Sequence, residues 1–80
     1  MNSIKLKEHI ENHTRILPKK IKRWKWWSVQ HCNFDKHRQI FIEAYHEVKI
    51  FRTRKKAEEF LEEHKKEMFK KISNMIPLQD

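Results

Sequence analysis

Between Thr53 and Pro77 the chain repeats its bulky side chains at three- and four-residue spacing, and this stretch decides the architecture. Ala57, Phe60, Leu61, His64, Met68, Ile72 and Met75 make one mostly apolar stripe, with neither glycine nor proline inside it. Thr53 stands where an N-cap belongs, and Pro77 stops the run. Glu62 with Lys66, and Glu67 with Lys71, sit at i, i+4 on the wet side, where such pairs contribute roughly 0.2 to 0.5 kcal/mol each. A helix over 53–76 with a single apolar stripe needs a second layer beneath it, and the preceding residues must supply that layer.

Those residues read as strands. From Trp24 to about Asn33 they are aromatic, β-branched or short and polar, with no helical period. Alternation puts Trp27, Val29 and His31 on one face, and Trp24, Trp26, Ser28, Gln30 and Cys32 on the other. Phe34 to His37 reads as a turn. Gln39–Tyr45 and Glu47–Phe51 form two further strands, with Ile40, Ile42, Ala44, Val48 and Ile50 facing the core and Phe41, Tyr45, Lys49 and Phe51 facing away. No glycine is present, so the turns run longer than two residues or use Asn33, Asp35 and His46.

Ser3 to about Thr14 suits a short helix with Ser3 as N-cap and Leu6 and Ile10 at i, i+4, although Ile4 with Leu6 also fits a strand. Pro18 drives Leu17 out of the helical region, so this element ends before it. The expected fold is α+β: a three-stranded antiparallel sheet backed by a long C-terminal helix, with a short N-terminal helix, in the order α-β-β-β-α. One small domain of 80 residues divides into a helical segment (1–18), a basic link (19–23), the sheet (24–52) and the long helix (53–76).

Charge directs the functional reading. The net charge is +8, of which residues 1–27 carry +6 and residues 28–80 carry +2. Lys19, Lys20, Lys22, Arg23 and Lys25 fall within seven residues, interleaved with Trp24 and followed by Trp26 and Trp27. Cations beside flat rings suit a polyanion: ammonium and guanidinium groups meet phosphates while rings stack on bases. Arg38, Arg52, Arg54, Lys55 and Lys56 add phosphate contacts, the last three at a helix start where free N–H groups and cations coincide. Trp24 and Trp26 with Phe41 and Tyr45 make either a stacking platform, a second core beneath the first helix, or an interface to a dimer mate or other partner.

Other chemistries find less support. Eighty residues leave little room for an enzyme cleft, and Cys32 lacks an orienting partner for nucleophilic catalysis, so no activity and no cofactor are expected. His31, Cys32, His37, His46 and His64 show no zinc-ligand spacing. A single cysteine, no leader-like N-terminus and no apolar run of about 20 residues lead to the expectation of a soluble cytoplasmic protein outside the membrane.

The stretch Phe51-Arg-Thr-Arg-Lys-Lys-Ala57-Glu-Glu-Phe60-Leu61 resembles the strand-to-helix junction of the AP2-like, arm-type DNA-binding domains of phage and transposon integrases. A phenylalanine, a capping threonine two later and an alanine four further on recur there in this order, and Trp27-Ser28-Val29 is similar to the aromatic-x-Val opening of that family's first strand. The resemblance implies a three-stranded sheet entering a DNA major groove with one helix behind it. Ile50 stands where the family has glycine, and Lys56 where it has an acidic residue. The element order also resembles double-stranded-RNA-binding domains, in which lysines opening the second helix grip phosphates; Arg54, Lys55 and Lys56 occupy that position.

The sequence therefore leads to the expectation of a non-enzymatic nucleic-acid-binding module, duplex DNA favoured, of the kind an accessory or regulatory protein of a phage or mobile element would use. The alternative is a viral-type protein that inhibits or redirects a host protein through its aromatic sheet face.

Overall fold

A computed structural model describes residues 1–79. It is α+β: helix α1 (Ser3–Asn12), strands β1 (Thr14–Ile21), β2 (Trp24–Asp35) and β3 (Ile40–Phe51), and helix α2 (Arg54–Met75). The strands form one open antiparallel sheet in the order β1-β2-β3. The molecule is long and narrow, 47 × 21 × 16 Å.

Helix α2 is where its stripe places it. Thr53 caps it, the hydroxyl oxygen accepting the Lys56 N–H at 3.3 Å, and Ala57, Leu61, Met68 and Ile72 are buried. Ala57 and Leu61 close over Val29 in the middle of β2, with Ile16, Trp27, Phe51 and Phe60 around them. Burying a leucine of this kind contributes about 1.5 to 3 kcal/mol. A second cluster joins Leu6 and Ile10 of α1 to Met68 and Ile72 of α2, with Cys32, Phe41 and Ile76. The two pairs expected on α2, Glu62 with Lys66 and Glu67 with Lys71, do not form. Lys65 bonds Glu11 at 2.6 Å and Glu62 at 3.0 Å, and Lys66 reaches Glu63 at 3.5 Å, because α1 brings Glu11 alongside. Lys71 makes no ion pair among the described residues.

The strand boundaries are the main correction. Residues 19–23 are not a link: β1 runs from Thr14 to Ile21 and pairs with the first part of β2, so that Pro18 sits opposite Trp27 and Lys20 opposite Lys25. Proline and lysine suit this position because β1 is an edge strand, where a missing N–H costs nothing and charge discourages further pairing. Helix α1 ends at Asn12 instead of about Thr14: the Thr14 hydroxyl donates to the Ile10 carbonyl at 2.9 Å, and Asn2, not Ser3, is the N-cap.

Residues 40–51 are one strand, with His46 paired to His31 instead of turning. Val29 pairs with Lys49 but Gln30 with Glu47, so Val48 is an extra residue that resets the alternation. The expected core row accordingly fails. Ile40 and Ile42 are 48% and 45% exposed, Ala44 is exposed, and Val48 and Ile50 are half-buried. Phe41 is buried instead, against the second cluster. Lys49 and Phe51, expected to face away, lie on the α2 side, the Lys49 ammonium 5.6 Å from the Phe60 ring.

The turns dispense with glycine at a conformational cost. Asp35 accepts N–H bonds from His37 and Arg38 and a side-chain bond from Arg38 at 2.9 Å, while Gln39 closes this turn at φ 55°. Lys22 does the same in the two-residue β1–β2 turn at φ 56°. A side chain in this left-handed region costs about 1 to 2 kcal/mol. Urea denaturation is therefore expected to move in opposite directions for two variants: Gln39→Gly gains about 1 kcal/mol, whereas Thr53→Ala loses about 1 kcal/mol with its cap.

Candidate nucleic-acid interface

Because α2 lies on the Trp27–Val29 side of β2, alternation leaves Trp24, Trp26, Ser28 and Gln30 on a face that α2 does not cover. That face has two halves. Near the β2–β3 turn it is shared with α1, where the Tyr45 hydroxyl donates to the Asn12 carbonyl at 3.1 Å and His13 stacks on Phe41 at 4.6 Å. Phe41 and Tyr45 are thus taken into packing with α1. Trp24 and Trp26 are at the other end, with Trp24 57% exposed. The four rings do not form one platform.

The Arg52 guanidinium joins the two indoles, 4.5 Å from the Trp24 ring and 4.8 Å from the Trp26 ring. Stacking of this kind holds a guanidinium flat while leaving its N–H edge free. On the opposite side of β2, Trp27 receives the Lys25 ammonium at 4.8 Å and the Arg54 guanidinium at 5.5 Å. The antiparallel register sets Trp27 beside Phe51, which brings the β1–β2 turn and the start of α2 to the same end of the molecule. Lys20, Lys22, Arg23, Lys25, Arg52, Lys55 and Lys56 collect there without an ion pair among the described residues. Pro18, Lys19, Lys20, Arg23 and Lys25 line a shallow hollow of about 300 Å³ on the rim of this end.

Three of the anticipated cations are held by the chain's own carboxylates. Lys19 bonds Glu47 at 2.8 Å, Arg54 bonds Glu58 at 2.9 Å, and Arg38 bonds Asp35 at 2.9 Å. Arg38 is also at the wrong end, a β2 length of roughly 40 Å from the others.

A polar row in the middle of this face has no local signature in the amino-acid sequence. Arg15 donates to Gln30 at 2.8 Å, Gln30 to Ser28 at 3.1 Å, and Ser28 to Glu47 at 2.8 Å, while the Arg15 guanidinium lies 3.7 Å from the Tyr45 ring. The hydrogen bond from Lys19, then that from Ser28, holds the Glu47 carboxyl below the usual range. Arg15 and Glu47 are far apart in sequence, and only the strand register reveals their relation.

Beside α2, His31 Nδ1 and His64 Nε2 lie 2.8 Å apart, one nitrogen donating and the other accepting. Burial first, then His64, His46 and Lys71, lowers the His31 pKa; burial and Lys71 lower that of His64 against an opposing pull from Glu67. Among the described residues no three His, Cys, Asp or Glu side chains gather as a metal site would require, and no helix is long and apolar enough to cross a membrane. Comparison with protein families, curated proteins and solved structures finds no match to this chain.

Both histidines bind protons less readily folded than unfolded, so stability is full above about pH 6.5 and falls as acid enters the unfolded chain first. Urea midpoints measured between pH 7.5 and 5 should decline below about 6.5, with a shallower decline in His64→Gln.

Proposed function

We propose that the protein binds duplex DNA, with the exposed end of the helix-free sheet face against the grooves and the surrounding cations on the phosphates. The observation that carries this reading is the gathering, at one end of the molecule, of seven cations without an ion pair among the described residues: Arg52, 4.5 and 4.8 Å from the Trp24 and Trp26 rings, and six lysines and arginines around it. A surface that merely solubilised the chain would gain nothing from collecting like charges at one end, where they repel. A phosphate backbone rewards the arrangement by releasing its own counterions.

Groove geometry favours DNA over RNA. The B-form major groove is about 12 Å wide and admits a β-ribbon, whereas the A-form major groove is too narrow for one. Arg52 is the residue assigned to base edges, because its guanidinium lies beside the exposed Trp24 without an ion pair among the described residues, and a guanidinium can bond guanine bidentately. Lys20, Lys22, Arg23, Lys25, Lys55 and Lys56 are assigned to phosphates. The chain's role is that of a binding module without catalysis, fitting an accessory or regulatory task on DNA.

Tryptophan fluorescence titrations with a 20-base-pair duplex at several salt concentrations test this. If about six phosphates are neutralised, log K falls against log salt with a slope near −5, and the triple variant Lys22→Ala, Arg23→Ala, Lys25→Ala reduces that slope by about 3. Arg52→Ala is expected to weaken preferred over scrambled sequences while leaving the slope nearly unchanged. An unchanged slope in the triple variant, or equal binding to duplex RNA, contradicts the proposal.

A further inference from the structure

A cleft of about 490 Å³ opens between the end of β2 and the second half of α2, far from the cationic end. Its floor is apolar: Cys32, Met68 and Ile72 are buried and Phe34 is half-buried beside them. Its rim holds the His31–His64 pair and Lys71, whose ammonium bonds none of the described carboxylates although Glu67 is one turn away. A volume of this size lies in the range of small-molecule sites, and an apolar floor with a few convergent polar groups is their usual composition. Phosphate backbones have no use for such a floor, so the cleft is a different site from the interface described above.

We infer that this cleft binds a small organic anion with an apolar tail, a medium-chain carboxylate, whose chain lies on Cys32, Phe34, Met68 and Ile72 and whose head meets Lys71 and the His31–His64 pair. Charge complementarity selects the anion. The groups facing the histidines are Lys70, Lys71 and Glu67 of α2 and His46 of β3, which together favour a negative guest. A carboxylate arriving beside the pair stabilises imidazolium, and an imidazole–imidazolium hydrogen bond accommodates one added proton. Binding is therefore accompanied by uptake of about one proton and is tighter at pH 6 than at pH 8.

The test is an NMR titration of the full chain with monomeric decanoate, octanoate, decanol and acetate. Decanoate is expected to saturate and to shift Cys32, Phe34, Met68, Lys71 and Ile72 while raising the titration midpoints of His31 and His64. Each methylene is worth about fourfold, so octanoate should bind roughly fifteenfold more weakly than decanoate. Decanol and acetate should bind more weakly still, since each lacks half of the recognition. Lys71 is exposed, and Lys71→Gln should reduce decanoate affinity about tenfold with an unchanged unfolding midpoint. Equal affinity for decanol and decanoate, no effect of Lys71→Gln, or shifts centred on Trp24 and Arg52 would overturn the assignment. So would recruitment to phosphatidylglycerol vesicles without any binding of monomeric decanoate, because that result assigns the cations to a lipid surface.

Discussion

The closure of Ala57 and Leu61 over Val29 is the contact on which the rest of the structure depends. Alanine at 57 lets the start of α2 lie close to β2, and the Thr53 cap fixes where the helix begins. Once α2 occupies that side of the sheet, the opposite side is left to Trp24, Trp26, Ser28 and Gln30. The same contact anchors the start of α2 beside the β1–β2 turn, so cations distant in sequence become neighbours. A single packing decision thus leaves one end of the opposite sheet face, with the exposed Trp24, outside the cover of α2 and brings the charges to that same end.

How much of this was legible depends on whether a feature is local. The stripe from Ala57 to Met75, the cap at Thr53 and the stop at Pro77 are local signals, and α2 matches them to within a residue or two. The alternation of Trp27 and Val29 against Trp24 and Trp26 is equally local and is observed. Strand β1 was hidden because Pro18 and the lysines around it read as a linker; only knowledge that this strand lies at the sheet edge makes those residues ordinary. The row Ile40, Ile42, Ala44, Val48, Ile50 was misread because the extra residue at Val48 cannot be seen without its partner strand. The same limit applied to the candidate site. The cations were evident as a cluster, but the neutralisation of Lys19 depends on a tertiary neighbour and that of Arg38 on turn geometry, whereas the Arg54–Glu58 pair is a local i, i+4 contact within α2.

The two ends of the molecule carry different chemistry. At the end formed by the β1–β2 turn and the start of α2, the exposed Trp24 and half-buried Trp26 hold the Arg52 guanidinium and Trp27 holds the Lys25 ammonium, neither cation having an ion pair among the described residues. Along the second half of α2, an apolar cleft is rimmed by paired histidines and by Lys71, which has no ion pair among the described residues. Between them the row from Arg15 through Gln30 and Ser28 to Glu47 ties all three strands together, and its side-chain bonds fix Lys19 and Arg15 in place. The Glu47 carboxylate at the end of this row accepts hydrogen bonds from Lys19 and Ser28, both at 2.8 Å, and these hold it below the usual carboxylate range.

The central claim is that the face left bare by α2 is the one that meets a polyanion. Amide and indole chemical-shift mapping with a duplex DNA tests it most directly. The account predicts perturbations confined to the β1–β2 turn, Trp24, Trp26, Arg52 and the first turn of α2, with both indole N–H signals moving. Perturbations along the outward face of α2 instead, or none at all at low salt, would contradict it.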